Sequence, residues 1–224
     1  MDDRGMLVWD GIARREALSA TDLAIRDRLA DAARRGNWYV VLQLVHAHPA
    51  LVNSPRPGGA SGYAALHQAA WHGVSADTIR LLKGYGAWSG LRASNGYRPV
   101  DIAAQRGHRH LVDLLQPPVH HPLPPQVLGG LQQQLHRLLR YRADGGTGQD
   151  PVGRLGMRLP QVEVLTELAE PAFWFPIPAA GGFTVRLEGN ELSVTSAPGT
   201  GGALQEHVDR VAASGTRLAE GRSL

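Results

Sequence analysis

Gly96-Tyr97-Arg98-Pro99-Val100-Asp101-Ile102-Ala103-Ala104-Gln105-Arg106-Gly107-His108 is the stretch that decides how the chain is read. Pro99 can open a helix, because the first helical position needs no backbone N–H and proline presets φ there. Gly107 can close it, because glycine takes the left-handed conformation at helix ends without a steric penalty. The small pair Ala103-Ala104 between them lets a second helix approach closely. The same signs recur upstream, where Ala-Ala-x-x-Gly stands at 32–36, 69–73 and 103–107, with glycines 37 and then 34 residues apart. An apolar cluster follows each glycine: Val40, Val41, Leu44 and Val45; Ile79, Leu81 and Leu82; Leu111, Val112, Leu114 and Leu115. The repeating unit is therefore a short helix, a glycine break and a second helix. One such unit cannot bury its apolar side alone, so neighbours must stack.

These residues resemble the ankyrin repeat. The unit at 96–108 follows the family pattern G-x-T-P-L-H-x-A-A-x-x-G-H in register, with Arg98 and Asp101 in place of Thr and His. The middle unit keeps Gly62, Leu66-His67, Ala69-Ala70, Gly73 and Gly86-Ala87, but has Ala64-Ala65 where Thr-Pro is usual. The first keeps Leu29, Ala32-Ala33 and Gly36-Asn37 and ends in His48-Pro49-Ala50-Leu51-Val52-Asn53. The resemblance covers 24–118 and implies a stack of about three helix pairs with a concave binding groove. It places Asp31, Arg34, Arg35, Gln68, Trp71, His72, Gln105 and Arg106 on that groove, with Trp88, Leu91 and Arg92 at a neighbouring hairpin. Tryptophan among arginines is the composition enriched at protein interfaces. The competing reading is that Trp71 packs on helix stems and the arginines only solvate the surface. The loop Ser54–Ser61, longer than usual and holding Pro55, Pro57, Gly58 and Gly59, is expected to be mobile beside the groove.

Outward from the repeats, residues 1–23 are expected to cap the first unit, with Thr21 and Asp22 starting the helix that carries Leu23 and Leu29. Beyond 118 the segment Gln116 to Pro125 holds five prolines in ten residues, too many for a helix or a central strand. Val127, Leu128, Leu131, Leu135, Leu138 and Leu139 then recur at helical spacing and predict an amphipathic helix from Gln126 to about Arg142, despite Gly129-Gly130. Asp144 to Gly156 reads as a glycine-rich loop, which completes a connector over 119–156. From 157 the period becomes two. Val162, Val164 and Thr166 predict one strand, and 183–187 and 192–195 predict a hairpin around Glu188-Gly189-Asn190-Glu191. The aromatics Phe173-Trp174-Phe175 are expected to plug a small core between the strands. The fold class is thus α+β: a helical repeat stack, a helical connector and a small antiparallel β domain at 157–224. That last domain is also similar, more loosely, to tails found on short bacterial ankyrin proteins.

Composition sets the outer limits. A hydrophobic fraction of 43% in 224 residues excludes a wholly disordered chain. The absence of cysteine excludes disulfides, thiolate zinc sites and cysteine nucleophiles. Lys83 is the sole lysine, so the net charge of +3 and the pI near 9.7 rest on arginine, a usage that fits a GC-rich bacterial source. That charge is far below the basic stripe that phosphate neutralisation demands, which argues against nucleic acid. No run of apolar residues is long enough to span a bilayer, and the N-terminal residues lack a secretory core, so a cytoplasmic location without a membrane partner is expected.

Candidate chemistry is thin. The histidine pairs His46/His48, His108/His110 and His120/His121 lack the converging third ligand that a metal requires. Gly199-Thr200-Gly201-Gly202 lacks the Gly-Lys-Ser/Thr ending of a phosphate loop. Ser196, His207 and Asp209 have no nucleophile-elbow context. The expectation is therefore a non-enzymatic module without cofactor or metal, binding a protein partner of acidic or mixed character. The alternatives are an enzyme site in the β domain recruited by the repeats, and a nucleic-acid adaptor.

Overall fold

Ser19 opens the first helix. Its hydroxyl accepts the Asp22 backbone N–H at 3.1 Å in a computed structural model of the chain, which describes residues 6–145, 148, 150–199 and 204–218. Three helix pairs follow: α1 (Ala20–Arg34) and α2 (Trp38–Ala47), α3 (Ala65–His72) and α4 (Ala76–Gly84), α5 (Pro99–Gln105) and α6 (Arg109–Leu115). Gly36, Gly73 and Gly107 end the first helix of each pair at φ +75°, +64° and +76°, the left-handed values that the alignment on glycine implies. Helices α1, α3 and α5 pack in one row, and α2, α4 and α6 in a second. Ala33, Ala69, Ala70 and Ala103 are buried where helices meet, and Val41, Val45, Ile79, Leu82, Leu111 and Leu115 close the core from the second row. Full burial of one such branched side chain contributes about 2 kcal/mol, and these side chains join the helices both within each pair and between successive pairs.

Polar side chains set the ends of these helices. Buried His67 accepts the Ala64 N–H at Nδ1 (3.3 Å) and donates from Nε2 to the Leu91 carbonyl (3.0 Å). Asp101 stands at the equivalent place in the last pair, and its carboxylate accepts the Arg98 N–H at 2.9 Å, so the substitution keeps the helix-start bond. Burial alone would push the Asp101 carboxyl up, but the Arg98 hydrogen bonds outweigh it and hold the carboxyl below its usual range. Asn53 donates to the Gly86 carbonyl (2.8 Å) and accepts the Trp88 N–H (2.9 Å), tying the end of the first repeat to the end of the second.

The loop Ser54–Ser61 differs from the mobile segment expected of it. Ser54, Pro55 and Pro57 are buried, Arg56 pairs with both Asp27 and Asp31 of α1, and the Gly58 N–H donates to the Ala13 carbonyl at 2.7 Å. Arg15 adds a bidentate pair to Asp27 at 2.9 and 2.7 Å, and this hydrogen bonding holds the Asp27 carboxyl below the ordinary range. Proline and glycine suggested freedom, whereas the two carboxylates of α1 tether the loop.

The second unit joins Met6–Gly11 to the chain from Val119 onward. Helix α7 (Pro125–Asp144) buries Leu131, Leu135, Leu138 and Leu139 against one side of the sheet. The sheet is an antiparallel meander in the order β1 (Ala172–Ile177), β2 (Gly181–Glu188), β3 (Glu191–Pro198), β4 (His207–Ala212), β5 (Gly215–Arg217). Phe173, Phe175, Phe183, Val185, Leu192, Val194 and Val211 alternate inward and are fully buried. The hairpin closes with Glu188 opposite Glu191, and Gly189 at φ +61° occupies the first central position that a type II′ turn reserves for glycine. Of the two glycines in α7 only Gly130 has a packing reason: a Cβ there would lie 2.7 Å from the Cβ of Ala213 in the β4–β5 turn, whereas one on Gly129 would meet nothing within 4 Å.

Four expectations for this region are corrected. Val162–Glu167 is a 3-10 turn rather than a strand, with its Val162 N–H taken by the Gln132 side chain and its Thr166 carbonyl by the His120 and His121 N–H groups. The aromatic run fills the core as expected, with Phe173 and Phe175 fully buried, but it does so as strand β1 itself and not as a segment between strands. The loop Asp144–Gly156 contains a helical turn α8 (Pro151–Arg154), whose Gly153 N–H is capped by Asp150 at 3.0 Å. Of the N-terminal segment, Met6–Gly11 belongs to the second unit: the Trp9 N–H donates to the Trp174 carbonyl and the Trp174 N–H to the Leu7 carbonyl, both at 2.8 Å, which lays Val8 parallel to β1.

Candidate functional site

The face carried by α1, α3 and α5 collects most of the residues singled out in the sequence. Trp71, at the end of α3, is 42% exposed, and the Arg106 guanidinium lies over its ring at 4.2 Å from the centroid. A cation stacked on an indole gains about 0.5–1 kcal/mol at such a partly exposed site, which favours this arrangement by roughly two- to fivefold. Arg34, Arg35, His72 and Gln105 are exposed beside them, and Gln68 is half-buried.

Backbone bonds from histidine side chains fix this face from one pair to the next. His72 donates from Nε2 to the Arg34 carbonyl at 3.0 Å while its ring meets Trp38 edge-on at 5.9 Å. His108 donates to the Trp71 carbonyl at 3.1 Å and His110 to the Val74 carbonyl at 3.2 Å. Carbonyls at helix C-termini lack intrahelical partners, so each bond satisfies an orphan acceptor and also locks neighbouring pairs together. His72 is thus a positioning residue as much as a surface one.

Trp88 and Leu91, expected at the surface of the hairpin, are core residues at 2% exposure each. The hairpin turns their side chains inward, because Asn53 captures the Trp88 N–H and His67 the Leu91 carbonyl. Arg92 is half-buried and donates to the Gly96 carbonyl at 2.9 Å, closing its own turn rather than facing outward alone.

Beside Arg34 and Gln68 lies a cavity of about 210 Å³ that the sequence did not disclose. Leu29, Ala33, Ala64 and Ala65, all at 4% exposure or less, form its floor. Arg56, Ser61 and Tyr63 form the wall on the loop side. Its only sequence signal was the loop's extra length, which pointed to mobility instead.

Elsewhere the candidate chemistry does not assemble. Ser196 and His207 are cross-strand neighbours, but the Ser196 hydroxyl donates to the Gln205 carbonyl at 2.6 Å and accepts the His207 backbone N–H at 3.1 Å. Asp209 is buried and bidentate to Arg142 of α7, at 2.9 and 2.7 Å. Thr200–Gly202 lies outside the described residues. Among the described residues no three His, Asp or Glu side chains cluster as a metal site needs, and no helix is long and apolar enough to cross a membrane.

What the geometry defines is a stack of helix pairs with an aromatic and cationic face, joined in one chain to a unit built on an antiparallel sheet. Comparison with known protein families finds none that matches the chain, and none of the curated proteins compared with it is significantly similar.

Proposed function

We propose that the helical unit is an ankyrin-type stack acting as a non-enzymatic, cytoplasmic protein-binding module. A partner segment of acidic or mixed character docks across α1, α3 and α5. The observation that supports this most directly is the exposed Trp71–Arg106 pair, flanked by Arg34 and Arg35 on helices that histidine bonds hold in register. The indole supplies an anchor that desolvates on contact, and the guanidiniums supply charge-assisted donors to carboxylates. Arg35 keeps only a loose pair to Asp31 at 3.6 Å, with most of its side chain in water, so it is available to a guest carboxylate.

Trp71→Ala should weaken partner binding by about 2 kcal/mol, roughly thirtyfold, and cost stability no more than the roughly 0.5–1 kcal/mol of the lost cation–π contact. Calorimetric titration beside a urea melt checks it. A larger loss of stability with unchanged binding would make Trp71 a structural residue and remove the centre of this reading. A nucleic-acid adaptor would instead lose affinity log-linearly and steeply with salt, which the same titration at several ionic strengths detects.

A further inference from the structure

Resting on that reading of the face, we infer that the cavity between α1, α3 and the loop Ser54–Ser61 is the pocket for one aromatic side chain of an acidic partner segment. The size fits, since a dry cavity of about 150 Å³ accepts a benzene ring and this one measures about 210 Å³. The chemistry of its surface divides in two. Its floor is apolar, formed by Leu29, Ala33 and Ala65, and Tyr63 offers a ring at the wall. Its rim carries Arg34, which has no ion pair among the described residues, whereas Arg56 on the opposite wall is already matched by Asp27 and Asp31. The unmatched charge is thus on the side that continues toward Arg35, His72 and the Trp71–Arg106 pair. An apolar floor beside an uncompensated guanidinium suits an aromatic residue with a carboxylate close to it in sequence.

The wall is also built to stay in place. Arg56 is tied to α1 at two carboxylates and Gly58 to Ala13, so the pocket is formed before a guest arrives and little ordering is required on binding. Adjacent inner helices lie about 8–10 Å apart, so from a pocket between α1 and α3 to the end of α5 is about one and a half spacings, roughly 12–15 Å, which an extended segment covers in about four or five residues. The partner segment therefore carries its aromatic residue about four or five positions from the carboxylate that meets Arg106.

A phage-displayed library of random 12-residue peptides, selected on the full chain, tests this. The expected result is a set of binders sharing one aromatic residue with an Asp or Glu about four or five positions away. A synthetic peptide of that set should lose at least tenfold in affinity when its aromatic residue is replaced by Ala. It should lose as much against Ala60→Trp, which plugs the cavity from an exposed loop position. If binders carry no common aromatic residue, or Ala60→Trp binds them as well as the parent chain, the pocket assignment is overturned. Trp71→Ala separates the two readings: weakened binding with Ala60→Trp silent retains the face and removes the pocket, whereas binders indifferent to both substitutions remove the face as well. Arg34→Gln gives a second readout, an affinity loss that disappears when the peptide's acidic residues are changed to amides.

Discussion

At the scale of single residues, three glycines with nearly the same φ are not equivalent. A Cβ on Gly107 would meet nothing within 4 Å, so a substitution there pays only the left-handed backbone cost, about 1–2 kcal/mol for an L-residue. A Cβ on Gly73 would lie 2.4 Å from the His108 ring, and that ring holds the Trp71 carbonyl. Gly73→Ala should therefore lower the urea midpoint more than Gly107→Ala, and it should also disturb the Trp71 face. Equal midpoints would mean that His108 yields freely and contributes little to the register between pairs. The glycines were legible in the sequence because a positive φ leaves one natural choice of residue. Trp71 and Trp88 were not separable in that way. Both are tryptophans near a repeat end, and their opposite fates depend on a side-chain amide at Asn53 that is 35 residues from Trp88.

At the scale of elements, α7 was legible from its leucine period, and the β2–β3 hairpin from alternation around Gly189. Alternation misled at Val162–Glu167, because valines two apart can face inward from a 3-10 turn as well as from a strand. What decides the matter there is a distant helix. Gln132 of α7 accepts the Val162 N–H at 2.8 Å, and both Gln132 and His136 donate to the Pro160 carbonyl at 2.8 Å. Burial lowers the proton affinity of His136 below that of a free imidazole. Below about pH 6.5 the unfolded chain therefore binds a proton that the folded chain resists, so the stability this residue contributes is intact above that pH and falls as the medium becomes acidic. The drop in urea midpoint between pH 7.5 and 5.5 should be smaller in His136→Gln than in the parent chain. Identical pH profiles would place the titration elsewhere. The cavity wall belongs to this scale too, since nothing within Ser54–Ser61 announces that Asp27 and Asp31 on another helix will hold it.

At the scale of the whole molecule, the two-part composition was legible, and the path of the chain was not. Periods of 34 residues and of two mark helical and sheet regions in sequence order, but no local pattern shows that Met6–Gly11 lies alongside β1. Trp9 is the residue that holds it there: it is 2% exposed, its ring is 6.1 Å from that of Phe173, and its indole N–H donates to the Arg158 carbonyl at 2.9 Å. Trp9→Ala should cost the second unit about 3–5 kcal/mol and accelerate hydrogen exchange at the Trp174 amide, which donates to Leu7. Unchanged protection at that amide would show that the strand is retained by its backbone bonds alone.

The same strand imposes an order on synthesis. Leu7, Val8 and Trp9 leave the ribosome ahead of the helical stack, yet the Arg158 carbonyl that receives the Trp9 indole is made 149 residues later. The whole helical stack is translated in the interval and, with its short-range contacts, is able to form while the nascent chain is still growing. An apolar extended segment meanwhile travels without its sheet, as an unpaired edge open to chaperones or to the strands of another nascent copy. Slow codons or stalling between Pro118 and Ala172 would lengthen that exposure, whereas the same delay before Gly36 would not.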